Sequence, residues 1–333
     1  MSDTRRRARA WVIALLLTTA GAGAAWLWRR VPPPITVSVG AFPEQLVYAR
    51  TTDDVVNGGV LFTAPNGLRG VAVIWVHGWG TNFYYPSYTA IGRHLAARGI
   101  TTIGVNTRMH DLGTSATYRS GRRVRGGGYW GIPSEQDHDI AAWVDFAERQ
   151  GFPRVVLAGH SAGWAAVAAY RVRTRDPRVG GVVLASGTAQ RMTPFQDPDV
   201  LEEARRLVDA GAGDDLIRLP NRSFPSFISA ATLLDQAETP PDLLDFFGSG
   251  NGSAGMRALE CSILAFYGTR GDVGGEDDLA LVASAPQRLS IDNAQVETSM
   301  IDGADHMYTG AEAQVAAVIS DWVTRVIGPA LHD

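Results

Sequence analysis

The chain has no lysine: all 30 of its basic residues are arginine. That absence removes lysine Schiff bases, a phosphate-loop lysine and a serine–lysine dyad from the chemistries open to it. Cys261 is the one cysteine, so no intramolecular disulfide and no cysteine-based zinc site can form. It lies in the apolar run CSILAFYG, which reads as a buried, unreactive thiol. HExxH, the EF-hand pattern and a GxGxxG following a strand are missing too. DHD at 137–139 reads as the favourable acidic first turn of a helix rather than as metal ligands. No metal and no cofactor are expected. The net charge is only −4, which argues against a basic face for nucleic acid, so no such partner is expected.

What the chain does have is core material. Of its 333 residues 45% are hydrophobic and 19% charged, enough for one large domain and without a signature of disorder. The N-terminus stands apart. Arg5, Arg6, Arg7 and Arg9 precede WVIALLLTTAGAGAAWLW at 11–28, followed by Arg29 and Arg30. Eighteen helical residues span about 27 Å, marginally a bilayer core. The expectation is a basic segment at 1–10, a transmembrane anchor or cleavable signal peptide at 11–28 and a proline-rich linker at 29–39. An anchor would face the domain away from the cytoplasm and make the membrane a partner; cleavage would leave it secreted or periplasmic. Oligomeric state is not legible.

Past the linker, strand-like and helix-like runs alternate, which predicts an α/β fold with a mostly parallel central sheet and helices on both faces. The strand-like runs are at 71–77, 101–106, 154–159, 181–187, 262–268 and 296–303. Their unbroken apolar character suits strands covered on both sides. Helix-like runs lie at 87–99, 134–151, 162–174 and 311–328; the second carries a capping box, Ser134 with Asp137. Residues 40–64 read as an initial hairpin turning at Asn57–Gly58. The stretch 189–257 breaks the rhythm and reads as a helical cap inserted into a core made of 40–188 and 258–333.

The pentapeptide GHSAG at 159–163 sits where the strand-like RVVLA stops and the helix-like AGWAAVAAY begins. A Gly-x-Ser-x-Gly at a strand-to-helix junction is a nucleophile elbow, and it presents Ser161 as a nucleophile. A serine needs a base. His306, in the loop IDGADHMY after the last strand-like run, is well placed, whereas the only later histidine, His332, is in the tail. A carboxylate must hold that imidazole. Asp272 in the loop TRGDVGGEDD is favoured, with Glu276, Asp277 and Asp278 as rivals and Asp305 as a structural acid. Backbone N–H groups of Trp79, in HGWG at 77–80, and of Ala162 are candidates for an oxyanion hole. His77 then braces its loop, and His160 only fills a position of the elbow.

HGWG, GHSAG, an acid after the run at 262–268 and GADH occur in the order of the α/β-hydrolase family, which residues 40 to 328 resemble. The cap is similar to a group that includes fungal siderophore ester hydrolases. The resemblance implies a serine hydrolase, esterase- or lipase-like, that cleaves small-molecule carboxylic esters through an acyl-enzyme and needs no cofactor. Acyltransferase, thioesterase and peptidase remain alternatives, and a non-catalytic binding protein is the rival of another class. Phe83, Tyr84 and Trp164 are candidate substrate-binding residues, Trp164 also as packing for the cap. The arginine-rich stretch 107–131, with Gly126–Gly128, reads as a mobile basic loop at the mouth or as a solvated one.

Overall fold

In the run VAVIWV (Val71–Val76) every residue is buried. Side chains alternate across a strand. Val71, Val73 and Trp75 therefore join one apolar cluster and Ala72, Ile74 and Val76 another. A strand of this kind must lie in the middle of a sheet covered on both faces.

The computed structural model describes residues 44–328, apart from 118–122, 221, 223, 224, 251–253 and 293. Its strands are β1 (Glu44–Arg50), β2 (Val56–Phe62), β3 (Val71–Val76), β4 (Thr102–Val105), β5 (Thr114–Thr117), β6 (Arg123–Gly126), β7 (Arg154–His160), β8 (Val179–Ala185), β9 (Leu216–Arg218), β10 (Phe227–Ser229), β11 (Ser262–Gly268) and β12 (Val296–Ile301). Its α-helices are α1 (Pro86–Ala97), α2 (Gln136–Arg149), α3 (Ala162–Thr174), α4 (Pro198–Asp209), α5 (Ala230–Ala237), α6 (Pro241–Leu244), α7 (Glu276–Leu289) and α8 (Glu312–Trp322).

Eight strands form the main sheet in the order β1-β2-β4-β3-β7-β8-β11-β12. The β1–β2 and β2–β4 pairs are antiparallel, and every later pair is parallel. Buried side chains of α1 and α8 cover one face and those of α2, α3 and α7 the other. The predicted mostly parallel, doubly covered sheet is the observed one. Strand order reverses between β3 and β7, and open α/β sheets place their sites at the carboxyl ends of strands flanking such a reversal. Those two ends carry His77–Gly80 and Ser161.

Between β8 and β11 the chain leaves the sheet to form the inserted cap of α4, the β9–β10 ribbon, α5 and α6. Ala204, Ile217, Leu219, Ile228 and Leu233 give the cap a small cluster of its own. Helix α4 starts on Asp197, whose carboxylate accepts the Asp199 and Val200 N–H groups.

Several expectations are corrected. The anticipated membrane anchor, with its membrane partner and membrane-facing location, is not retained. No helix among the described residues is long and apolar enough to cross a bilayer. Residues 11–28, on which that expectation rested, lie outside the described residues. The hairpin does not turn at Asn57–Gly58: both residues lie inside β2, opposite Ala49 and Tyr48. Asn57 is buried there because its amide donates to Asp139 at 2.8 Å. Ser134 does not cap α2. Its hydroxyl and N–H both bind the Asp235 carboxylate, tying the α2 entrance to the cap. Helix α7, with Pro286 near its end, was not anticipated. The glycines at 126–128 are packed rather than loose. Gly127 N–H donates to the Arg108 carbonyl at 2.7 Å, and the Gly128 carbonyl accepts the Trp79 indole N–H at 3.1 Å.

Candidate active site

Ser161 follows β7 directly, with φ 52° and ψ −123°, a positive-φ conformation costly for a residue with a Cβ. Close packing holds it there. A Cβ on Gly159 would stand 2.3 Å from the Gly163 carbonyl oxygen, and one on Gly163 would stand 2.5 Å from that of His77. Only glycines let β3, the elbow and α3 approach so closely. The Ser161 N–H is spent on the Ala185 carbonyl at 2.9 Å, which leaves the hydroxyl turned toward the loop after β12.

The structure brings Ser161, His306 and Asp272 into one hydrogen-bonded line. His306 Nε2 is 3.1 Å from Ser161 Oγ, and His306 Nδ1 is 2.7 Å from Asp272 Oδ1. An ionised carboxylate only accepts, so Nδ1 carries the proton and Nε2 is the acceptor facing the serine. Asp272 is closed off on its other sides. Val273 N–H also reaches Oδ1 at 2.7 Å, while Gly268 N–H and the Ser186 hydroxyl donate to Oδ2. Burial pushes this carboxyl up, but the His306, Ser186 and backbone donors reverse the shift and hold it below its ordinary value. The rival acids are elsewhere: Glu276, Asp277 and Asp278 form the first turn of α7, where Asp278 accepts the Gly275 N–H. Asp305 turns to the N–H groups of Met307 and Thr309 at 3.0 and 2.9 Å.

Two buried histidines brace the surroundings. His77 Nδ1 donates to the Gly78 carbonyl at 2.8 Å, and its Nε2 accepts the Thr107 N–H at 3.2 Å. The same carbonyl accepts the Thr81 hydroxyl at 2.8 Å. A trans peptide is planar, so fixing the Gly78 carbonyl also fixes the direction of the Trp79 N–H. His160, which the sequence offered only as filler, holds the His306 loop: its Nε2 donates to the His306 carbonyl at 2.7 Å, and its Nδ1 accepts the Tyr88 hydroxyl at 2.6 Å. Ser186, buried at the end of β8, links Asp272 to the Tyr308 hydroxyl. A hydroxyl at a strand end is commonplace, and no sequence signal marks it. Cys261 is partly buried, and burial pushes its thiol up to about 11.

Burial pushes His160 down to about 3, helped by the neighbouring His306 and opposed by Asp272. It pushes His77 down to about 4, with His110 acting in the same direction and Asp111 against it. Unfolded, both titrate near 6.5. Below that pH the unfolded chain takes up protons that the folded chain refuses, so stability present above pH 6.5 is lost as the pH falls toward 4. Each imidazole contributes a slope on the order of 1.4 kcal/mol per pH unit. Thermal scans from pH 7 to 4.5 are expected to show a falling Tm, and His160→Gln to flatten that slope by roughly half of the histidine contribution. An unchanged slope would remove the buried imidazole as its source.

A cavity of about 520 Å³ opens beside the elbow, bounded by Trp79 and Ala162 at one end. Trp164 lines it and packs on Phe246 of the cap, ring centroids 5.6 Å apart. Phe83 and Tyr84 are not among its walls. Phe83 packs with Val60 and Phe62 under β2, and Tyr84 is exposed with its hydroxyl 3.4 Å from Asp111.

The sequence matches the α/β-hydrolase family over residues 73–318. No curated protein matches the chain. Solved structures of similar fold include an esterase from Butyrivibrio proteoclasticus with ferulic acid bound (15% identity, 84% of this chain and 99% of that one, TM-score 0.57). An esterase from Pyrococcus furiosus is 14% identical over 89% of this chain and 97% of its own, with a TM-score of 0.56. The α/β hydrolase GrgF from Penicillium is 14% identical over 85% and 99%, with a TM-score of 0.60. Sheet order, elbow geometry and the family match agree, and the chain belongs to the α/β-hydrolase family.

Proposed function

We propose that the protein hydrolyses carboxylic esters through an acyl-enzyme on Ser161. The observation that carries this reading is the unbroken hydrogen-bonded line from Ser161 through His306 to Asp272, beside a cavity that Trp79 and Ala162 line. His306 Nε2 takes the hydroxyl proton as Ser161 Oγ attacks the carbonyl carbon. The negative charge that develops on the carbonyl oxygen is received by the N–H of Trp79 and that of Ala162. The latter is the first donor of α3, where the helix dipole favours an anion. His306 then hands its proton to the departing alcohol, and the acyl group stays on the serine. Water enters, gives a proton to the same nitrogen and attacks, and the acid leaves with Ser161 restored. Asp272 keeps the imidazole in the working tautomer throughout. No cofactor takes part in these steps.

A fluorophosphonate probe tests the reading directly. The chain has no lysine, so trypsin cuts only at arginine and Ser161 falls in the peptide 155–171. One phosphonyl adduct is expected on that peptide, absent from Ser161→Ala. A folded wild-type protein that takes up no probe would show that the elbow is architecture alone.

A further inference from the structure

The cavity beside Ser161 has a direction. Its floor is one face of α3: Ala162, Ala165, Ala166 and Ala169 line it, and Arg173 stands at the far end. These positions are spaced three, one, three and four residues apart, which places them in a single stripe on a helix. Over the first four the stripe offers only methyl groups. The facing wall comes from the cap and is mixed: Leu243 and Phe246 are apolar, whereas Asp235, Gln236, Glu238 and Thr239 are polar. The far end is polar, because Arg173 is paired with Asp137 at 2.8 Å. One end therefore reaches Ala162, the residue next to Ser161, and the other an ion pair.

The walls also tell which half of an ester belongs there. His306 delivers the proton to the departing alcohol, so the alcohol must leave on the His306 side. The cavity walls come from residues 79 to 246, with nothing from the segment that carries Asp272 and His306. The group that remains bonded to the serine is thus the one that faces the cavity. From Ala162 to Ala169 the helix rises by about 10 Å, the length of an extended chain of roughly eight carbons.

We propose that this cavity is an acyl channel, and that the substrates are esters of linear, medium-chain fatty acids whose tails lie along the alanine stripe of α3 and end short of the polar Arg173–Asp137 pair. The proposal rests on the esterase reading above. It makes Ala169 and Arg173 the residues that set chain length. Ala169→Leu puts a branched side chain where an eight-carbon tail would end, and Arg173→Ala removes the ion pair beyond it.

Full-length protein and both variants are assayed on p-nitrophenyl esters from butanoate to hexadecanoate. Fluorophosphonate uptake counts the competent sites in each. For the wild type, kcat/KM is expected to peak near octanoate. In Ala169→Leu the octanoate-to-butanoate ratio should fall at least about 10-fold, the scale at which a pocket discriminates by methylenes. In Arg173→Ala the peak should move to longer acids, and this variant decides alone if Ala169→Leu takes up no probe. Unmoved ratios in probe-competent variants overturn the channel. A parallel series of acetate esters with lengthening alcohols should be unaffected by Ala169→Leu; if that series shifts instead, the cavity holds the alcohol. A wild type that neither labels nor turns over defeats the esterase reading itself, a separate outcome.

Discussion

Asp272→Asn is expected to lower kcat by about 10⁴-fold with the fold retained, whereas Asp277→Asn leaves turnover close to wild type. The reason is a conflict of donors. Both oxygens of Asp272 accept backbone N–H groups, Val273 on one side and Gly268 on the other, each at 2.7 Å. An asparagine must point its NH₂ at one of them. Turned toward Gly268, it sets donor against donor inside a buried pocket. Turned toward His306, it drives the ring into the tautomer whose proton faces Ser161, and the serine loses its acceptor. Asp277, in the first turn of α7, touches neither. Single-turnover rates on a p-nitrophenyl ester separate the two variants. A loss at Asp277 equal to that at Asp272 would move the acid into α7.

Asp139→Ala is expected to destabilise the domain by about 3–5 kcal/mol and to lower Tm by roughly 10 °C. Asp139 is completely buried and Arg108 nearly so, with Nε and Oδ2 3.1 Å apart. The carboxylate also accepts the Arg108 N–H at 2.9 Å and the Asn57 amide at 2.8 Å. Burial pulls the Arg108 guanidinium down, but Asp139 and Asp53 outweigh it and hold the charge more firmly than in water. Removing the central carboxylate strands a buried cation, far costlier than losing a surface pair. The loss should reach the active site too, because Arg108 follows Thr107, whose N–H holds His77. Thermal denaturation of the two proteins checks this, and a shift below about 2 °C would mean that solvent reaches the cluster and screens it.

The parts legible in the sequence were those whose cause is local. Strands buried on both faces announced themselves as unbroken apolar runs, as in VAVIWV, and GHSAG needed only its two neighbours to define a turn too tight for other residues. The illegible parts depend on partners far along the chain. Asn57–Gly58 resembles a turn until Asp139, 82 residues away, claims the asparagine. DHD is the acidic first turn it reads as, but nothing local says that Arg108 folds over Asp139 and buries it. Ser134 resembles a cap until Asp235 of the insertion binds it. His160 resembles filler until its carbonyl partner arrives 146 residues later. Phe83 and Tyr84 follow HGWG in sequence but turn to β2 and Asp111, because the chain bends into α1 immediately after them.

Those separations also set a clock. Ser161 Oγ and His306 Nε2 lie 145 residues apart along the chain, and Asp272 comes between them. A chain emerging from the ribosome at roughly 5–20 residues per second carries its hydroxyl for about ten seconds before the base exists. During that interval Ser161 is an ordinary alcohol, and the brace from His160 has nothing to hold. On the proposed mechanism, the serine becomes reactive only when the loop after β12 docks and brings His306 to it. If His306 is the base, chemical competence belongs to the finished molecule, and a chain released before residue 306 is expected to be inert.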